Sequence, residues 1–239
     1  MIRPLGCLRL NNGPIALPGS PTQAESYPFP VILEGVPGAW TENVTRGDRS
    51  VRDAYVESAR RMEARGCAAV VTTCGFTSLF QADMAAAVSI PVASSSLLLV
   101  PFIRGLLPEG ARIGILTYDA TRLTDAHMEA AGWSPKEVAI AVDGAQGTES
   151  WEQMAEEQPE LTVEMMNRDV GAAAERLIAK HPDIRALLFE CTIFPIASDH
   201  VRARTGLPVY DYLTLARLTH EAAEAQNTAT STAARAAAE

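Results

Sequence analysis

Two stretches of this chain have one form. CAAVVTTCGF (67–76) and IRALLFECTIF (184–194) each run as an apolar strand, one polar residue, a cysteine, then a segment patterned for a helix. Cys74 and Cys191 lie 117 positions apart (191 − 74). The echo holds downstream, where SIPVAS and GLPVYD put Pro91 and Pro208 at the same spacing. A shared offset at two separate points predicts two related halves.

Between these points the pattern alternates. Strand-like runs at 5–10, 31–36, 67–73, 90–94, 111–117, 136–142, 184–190 and 207–211 are separated by helical spacing. Helices are expected at 48–66, which stops at Gly66, and at about 77–88, 96–107, 120–132, 163–181, 195–205 and 212–225. The stretch 13–30 reads as a Pro/Gly/Ser-rich loop, and the tail from 226 as a frayed low-complexity extension. Strands alternating with helices imply right-handed crossovers and mainly parallel sheets. The predicted class is α/β, with two pseudo-symmetric Rossmann-like domains, each a mainly parallel sheet flanked by helices. The first comprises 1–99 plus 212–239 and the second 100–211. Ligands of such sheets bind outside the carboxyl ends of strands. Cys74 and Cys191 both fall there, so the active site is expected in the cleft between the halves.

Composition excludes more than it assigns. The 239 residues are 47% hydrophobic, and a net charge of −9 with scattered basic residues argues against nucleic-acid binding. No apolar run approaches the roughly 18 residues of a membrane span. The N-terminal segment lacks the apolar core and cleavage site of a signal peptide, so a cytoplasmic protein is expected. The four cysteines form no CxxC pair and the histidines are sparse, so no metal site is expected. Cys7 and Cys67 read as core residues. His127 reads as a surface residue of a helix.

Two thiols facing one carbon atom define a chemistry. A thiolate on one side removes a proton, and a thiol on the other delivers one. A thiol pKa of about 8.5 falls beside a helix N-terminus, and each cysteine precedes a predicted helix. The developing anion next to a carboxylate needs hydrogen-bond donors. Thr72, Thr73 and Thr77, then Ser94, Ser95 and Ser96, then Thr117 and Thr121 are hydroxyls at such positions. Most hydroxyls there simply cap helices. Asp119 reads either as a cap or as a cleft residue. Glu190 either tunes Cys191 or caps a helix; its charge raises a neighbouring thiol. The segment 37–50 reads as a flap, with Trp40 over the substrate.

The paired cysteines, together with LRLNNGPIALPG, YPFPVILEGVPGA, TTCGF and LFECTIFP, resemble the aspartate/glutamate racemase superfamily, nearest its branch of algal dimethylsulfoniopropionate lyases and their bacterial relatives. The resemblance covers nearly the whole chain. It implies two α/β domains, catalytic Cys74 and Cys191, no cofactor (pyridoxal-independent chemistry), and a homodimer or homotetramer. Substrate-binding positions would be Thr73, Gly75, Phe76, Ser94, Ser95, Thr117, Tyr118, Thr121, Glu190 and Thr192. The chain departs from amino-acid racemases at three places. Gly75 and Phe76 follow the first cysteine where those carry Asn-Thr. RLNNG stands in place of an early Asp-Ser-Gly. Glu190 precedes the second cysteine in place of Gly. The expected function is a racemase or epimerase of a small carboxylate. The alternatives are dimethylsulfoniopropionate-type β-elimination and a non-catalytic small-molecule binder.

Overall fold

The computed structural model describes residues 2–236, with side chains to residue 224. In chain order the elements are β1 (Leu5–Arg9), β2 (Val31–Gly35), α1 (Thr41–Thr45), α2 (Arg52–Ala64), β3 (Ala69–Thr72), α3 (Gln81–Ala87), β4 (Val92–Ala93) and α4 (Val100–Leu106). They continue as β5 (Arg112–Thr117), α5 (Asp125–Ala130), β6 (Ile140–Gly144), α6 (Glu149–Gln153), α7 (Val163–Lys180), β7 (Ile184–Phe189), α8 (Ser198–Thr205), β8 (Val209–Tyr210) and α9 (Tyr212–Ala236).

The strands form two four-stranded sheets, ordered β2-β1-β3-β4 and β6-β5-β7-β8, parallel throughout. One order in both sheets means one winding used twice. The inner strands β3 (AVVT) and β7 (IRALLF) are near-continuous apolar runs, as strands covered on both faces must be. The 117-residue offset survives at the level of register. Val70 pairs with Val92, and Leu187 with Val209. It survives in side-chain bonding as well. Ser94 Oγ donates to Gln81 Oε1 at 2.7 Å; at the same offset Ser198 Oγ donates to Asp211 Oδ2 at 2.7 Å. Donor and acceptor have swapped ends while the tie between helix and strand stays.

Helices α2 and α7 pack on their own sheets, and α9 returns to β3 and β4 of the first. Gly66, at φ 79°, ends α2 where the sequence placed its stop. Other boundaries differ. The segments after Cys74, Ser95 and Ile193 begin as 3-10 turns (75–80, 96–99 and 194–197) before α-helix sets in. Such 3-10 turns are common at the termini of α-helices. The 37–50 segment holds α1, and α9 runs on to Ala236 where a frayed tail was expected from 226. Residues 237–239 of that tail lie outside the described ones. Among the described residues no helix is long and apolar enough to cross a membrane.

Direct bonds hold the halves together. Ser96 Oγ donates to the Phe189 carbonyl at 2.7 Å, Thr192 Oγ1 to the Thr73 carbonyl at 2.6 Å, and Trp133 Nε1 to the Leu97 carbonyl at 3.0 Å. His127 is buried here, contrary to the surface position its helix suggested. Its ring meets Phe76 edge-on at 5.2 Å, and burial lowers its pKa.

Candidate active site

The carboxyl ends of β3 and β7 face each other, and between them lies a cavity of about 70 Å³. That is room for roughly five water centres, or for one small organic molecule. Cys74 and Cys191 both line it. They are 6% and 8% exposed, and neither forms a disulfide. Each sits immediately after an inner strand whose last residues are anchored to the neighbouring strand. Thr73 N donates to the Leu8 carbonyl at 2.8 Å, and Glu190 N to the Leu116 carbonyl at 2.7 Å. The sulfurs are therefore fixed by the sheets and not by loops.

Around the thiols the walls are mostly apolar: Leu10, Ile15, Phe76, Met154 and Ile193. Cys191 Sγ lies 3.9 Å from Met154 Sδ. Tyr118 stacks on Trp151 with ring centres 5.8 Å apart. The cavity is flanked by ties across the halves. Gly13 N donates to the Glu157 carbonyl at 2.6 Å, and Asn12 Nδ2 to the Glu156 carbonyl at 2.7 Å. Thr41 and Thr45, one turn apart on α1, complete the wall. Thr41 Oγ1 donates to the Met154 carbonyl at 3.0 Å, and Arg122 donates to Thr45 Oγ1 at 2.7 Å.

The electrostatics run against the helix-start expectation. Burial pushes the Cys74 thiol up to about 12, and the Glu190 charge adds to it. The backbone amides of Phe76 and Thr77 pull the other way and lose. Cys191 is raised well above the ordinary thiol range by burial, then by Glu190, against the amides of Ile193 and Phe194. The amides at these helix starts do not offset desolvation of the buried thiols. Glu190 is itself raised, to about 7, by burial; the Thr117 hydroxyl, 2.6 Å from Oε2, restrains the rise. Charge repulsion between the thiols is mutual, so at most one of them ionises readily.

Of the residues singled out from the sequence, Thr73, Cys74, Gly75, Phe76, Tyr118, Glu190, Cys191 and Thr192 line this cavity together. Ser94, Ser95, Thr117 and Thr121 do not. Ser94 is bound to Gln81, Ser95 Oγ accepts from Leu97 N at 3.2 Å, and Thr117 is spent on Glu190. Thr121 Oγ1 donates to Asp119, which also pairs with Arg122 at 3.2 Å. Trp40 is 37% exposed and outside the lining, so α1 meets the cavity through its threonines instead. Sequence reasoning missed Arg9, Asn12, Thr41, Thr45 and Met154. The first two lie in the quoted RLNNG stretch, and the two threonines are spaced four apart on one helical face. Nothing in the sequence points to Met154. Among the described residues, no group of three or more His, Cys, Asp or Glu side chains is placed to hold a metal ion.

Two parallel sheets in one strand order form a two-domain α/β architecture, and here each delivers a cysteine from its third strand to a shared cavity. Solved structures share this architecture. Unliganded arylmalonate decarboxylase superposes with a TM-score of 0.57 at 16% identity, over 93% of this chain and 92% of that one. The aspartate racemase of Picrophilus torridus gives 0.57 at 13% identity, over 92% and 94%. No family model matches the chain. Among curated proteins, a dimethylsulfoniopropionate lyase of Durusdinium sp. clade D is 34% identical over 213 residues, 87% of this chain and 70% of that one. Dimethylsulfoniopropionate lyase 7 of Emiliania huxleyi (strain CCMP1516) is 30% identical over 221 residues, 88% of this chain and 64% of its own length. The chain belongs to the family of the dimethylsulfoniopropionate lyases, shares the fold of the aspartate/glutamate racemases, and is an enzyme.

Proposed function

We propose that this protein cleaves dimethylsulfoniopropionate, or a close β-sulfonio carboxylate, by β-elimination between Cys74 and Cys191. The observation that carries the reading is the meeting of the two thiols in one recessed, largely apolar cavity. The 34% identity to a lyase of that substrate supports the choice of reaction.

In this reading one cysteine, as thiolate, takes the proton α to the carboxylate and becomes a thiol. The electron pair of the broken C–H bond forms the C=C bond of acrylate. The C–S bond breaks, and its pair leaves with sulfur as neutral dimethyl sulfide. The other cysteine stays protonated on the far side as hydrogen-bond donor. Arg9 lines the same cavity. Its guanidinium donates to the carbonyls of Leu10 and Asn12, and it has no carboxylate partner among the described residues. We assign it to the substrate carboxylate. The apolar walls suit the two S-methyl groups.

Headspace chromatography decides the matter. Dimethyl sulfide is expected at millimolar substrate and is lost in Cys74→Ala and Cys191→Ala; its absence from the intact protein rejects the assignment. The pseudo-symmetric placement of the thiols favours one second reading, racemisation, in which the second cysteine returns a proton to the opposite face. Deuterium from solvent entering the α-position of a 2-substituted acid, with no elimination product, would select it.

A further inference from the structure

The cavity contains a carboxyl group that elimination does not consume. Glu190 is fully buried, and its Oε2 accepts from Thr117 while its Oε1 has no hydrogen-bond partner. The carboxylate is pressed against Gly75, where an added Cβ would overlap Oε1 and lie 2.6 Å from Glu190 Cδ. Gly75 follows one thiol in the chain, and Glu190 precedes the other. The acid is thus wedged between the two cysteines at the seam of the halves.

The groups around it offer no compensation. Tyr118, at the end of β5, and Tyr55, behind Cys74, are held neutral by burial. His127, on the far side of Phe76, has a lowered pKa and is neutral as well. Arg9 lines the cavity from the end of β1 but donates to backbone carbonyls, and among the described residues Thr117 alone bonds the carboxylate. Three acids therefore share an apolar pocket whose low polarity makes a second negative charge expensive.

We infer that Glu190 is a positioning residue that sets the charge of the cysteine pair: as a carboxylate it keeps both thiols protonated, and as a neutral acid it frees one of them to ionise. The two states interconvert by one proton, which moves from a thiol to the carboxylate and leaves a single negative charge in the site. The raised pKa values of all three groups agree with this exchange. In turnover the inference rests on the two-thiol reading above; its electrostatic content does not.

The test uses the full chain without substrate. Iodoacetamide alkylation of Cys74 and Cys191 is followed against pH and resolved by peptide mass spectrometry. Glu190→Gln is expected to raise the rate at both thiols about tenfold or more at pH 8, as a fall of one or more pKa units requires. Thr117→Val removes the bond that favours the carboxylate and should move both rates the same way by a smaller factor. Glu190→Asp keeps the charge and should keep them slow. A folded Glu190→Gln protein with the parent profile overturns the inference. So does a rise shared by Cys7 and Cys67, because that reports loosening of the fold. If Glu190→Gln does not fold, an unchanged profile in Thr117→Val overturns it alone. Failure to release dimethyl sulfide would touch only the proposed function, since no substrate enters this experiment.

Discussion

The two halves are one scaffold with different chemistry at equivalent points. Each sheet has the same strand order, the same Pro before its fourth strand, and a cysteine after its third. At the residue before the cysteine the first half carries Thr73 and the second carries Glu190. At the residue after, the first carries Gly75 and the second Thr192. The differences are complementary. Gly75 makes room for Glu190, and Thr192 donates to the Thr73 carbonyl. Each half's departure from the other is answered across the seam, so the repeat has become a single site that neither half can form alone.

Substitutions that treat the halves alike or unlike test this. The largest effect is on catalysis. Cys74→Ala and Cys191→Ala should each lower dimethyl sulfide release by about 10³-fold, in the range of a lost acid or base, with unfolding midpoints little changed. Full activity in either variant would mean that one half suffices. Next comes Gly75→Ala. Its Cβ meets the Glu190 carbonyl as well as the carboxylate, so backbone must shift, and a loss of about 3 kcal/mol or more in urea unfolding is expected.

The pH dependence of stability isolates Glu190. Its folded pKa is raised from 4.5 to about 7. The folded state thus holds a proton that the unfolded chain releases above its own pKa. That contribution is fully present below about 4.5 and fades as pH rises toward about 7. The difference in unfolding free energy between the parent and Glu190→Gln should therefore move by roughly 3 kcal/mol between pH 4 and pH 8, against the parent at the higher pH. A flat difference would mean the acid ionises in the fold as it does in water. The smallest effect is at Thr192→Ala, which removes one buried bond between the halves and should cost about 1 kcal/mol.

Much of this was legible beforehand. AVVT and IRALLF announce covered parallel strands, and the 117-residue offset brought Val92 and Val209 into equivalent registers. The positions of Cys74 and Cys191 at strand ends followed from the same pattern. The hydroxyls were less readable. Thr117 and Ser94 look like ligand-binding groups because they end strands, yet each is consumed by a partner, Glu190 and Gln81, that local sequence cannot supply. The helix starts misled for a related reason. Propensity and capping residues mark where winding begins and do not distinguish a first turn that is α from one that is 3-10.

Sequence by itself determined the two-fold repeat, the parallel sheets and the placing of a thiol at each sheet's centre, because periodicity and turn residues act over a few neighbouring positions. Only the tertiary structure decided how acidic those thiols are. Their pKa is set by burial of the thiols where the two halves meet, and by a carboxylate seated on a glycine of the opposite half. Desolvation and contact across a seam depend on distance in space, which sequence separation does not measure.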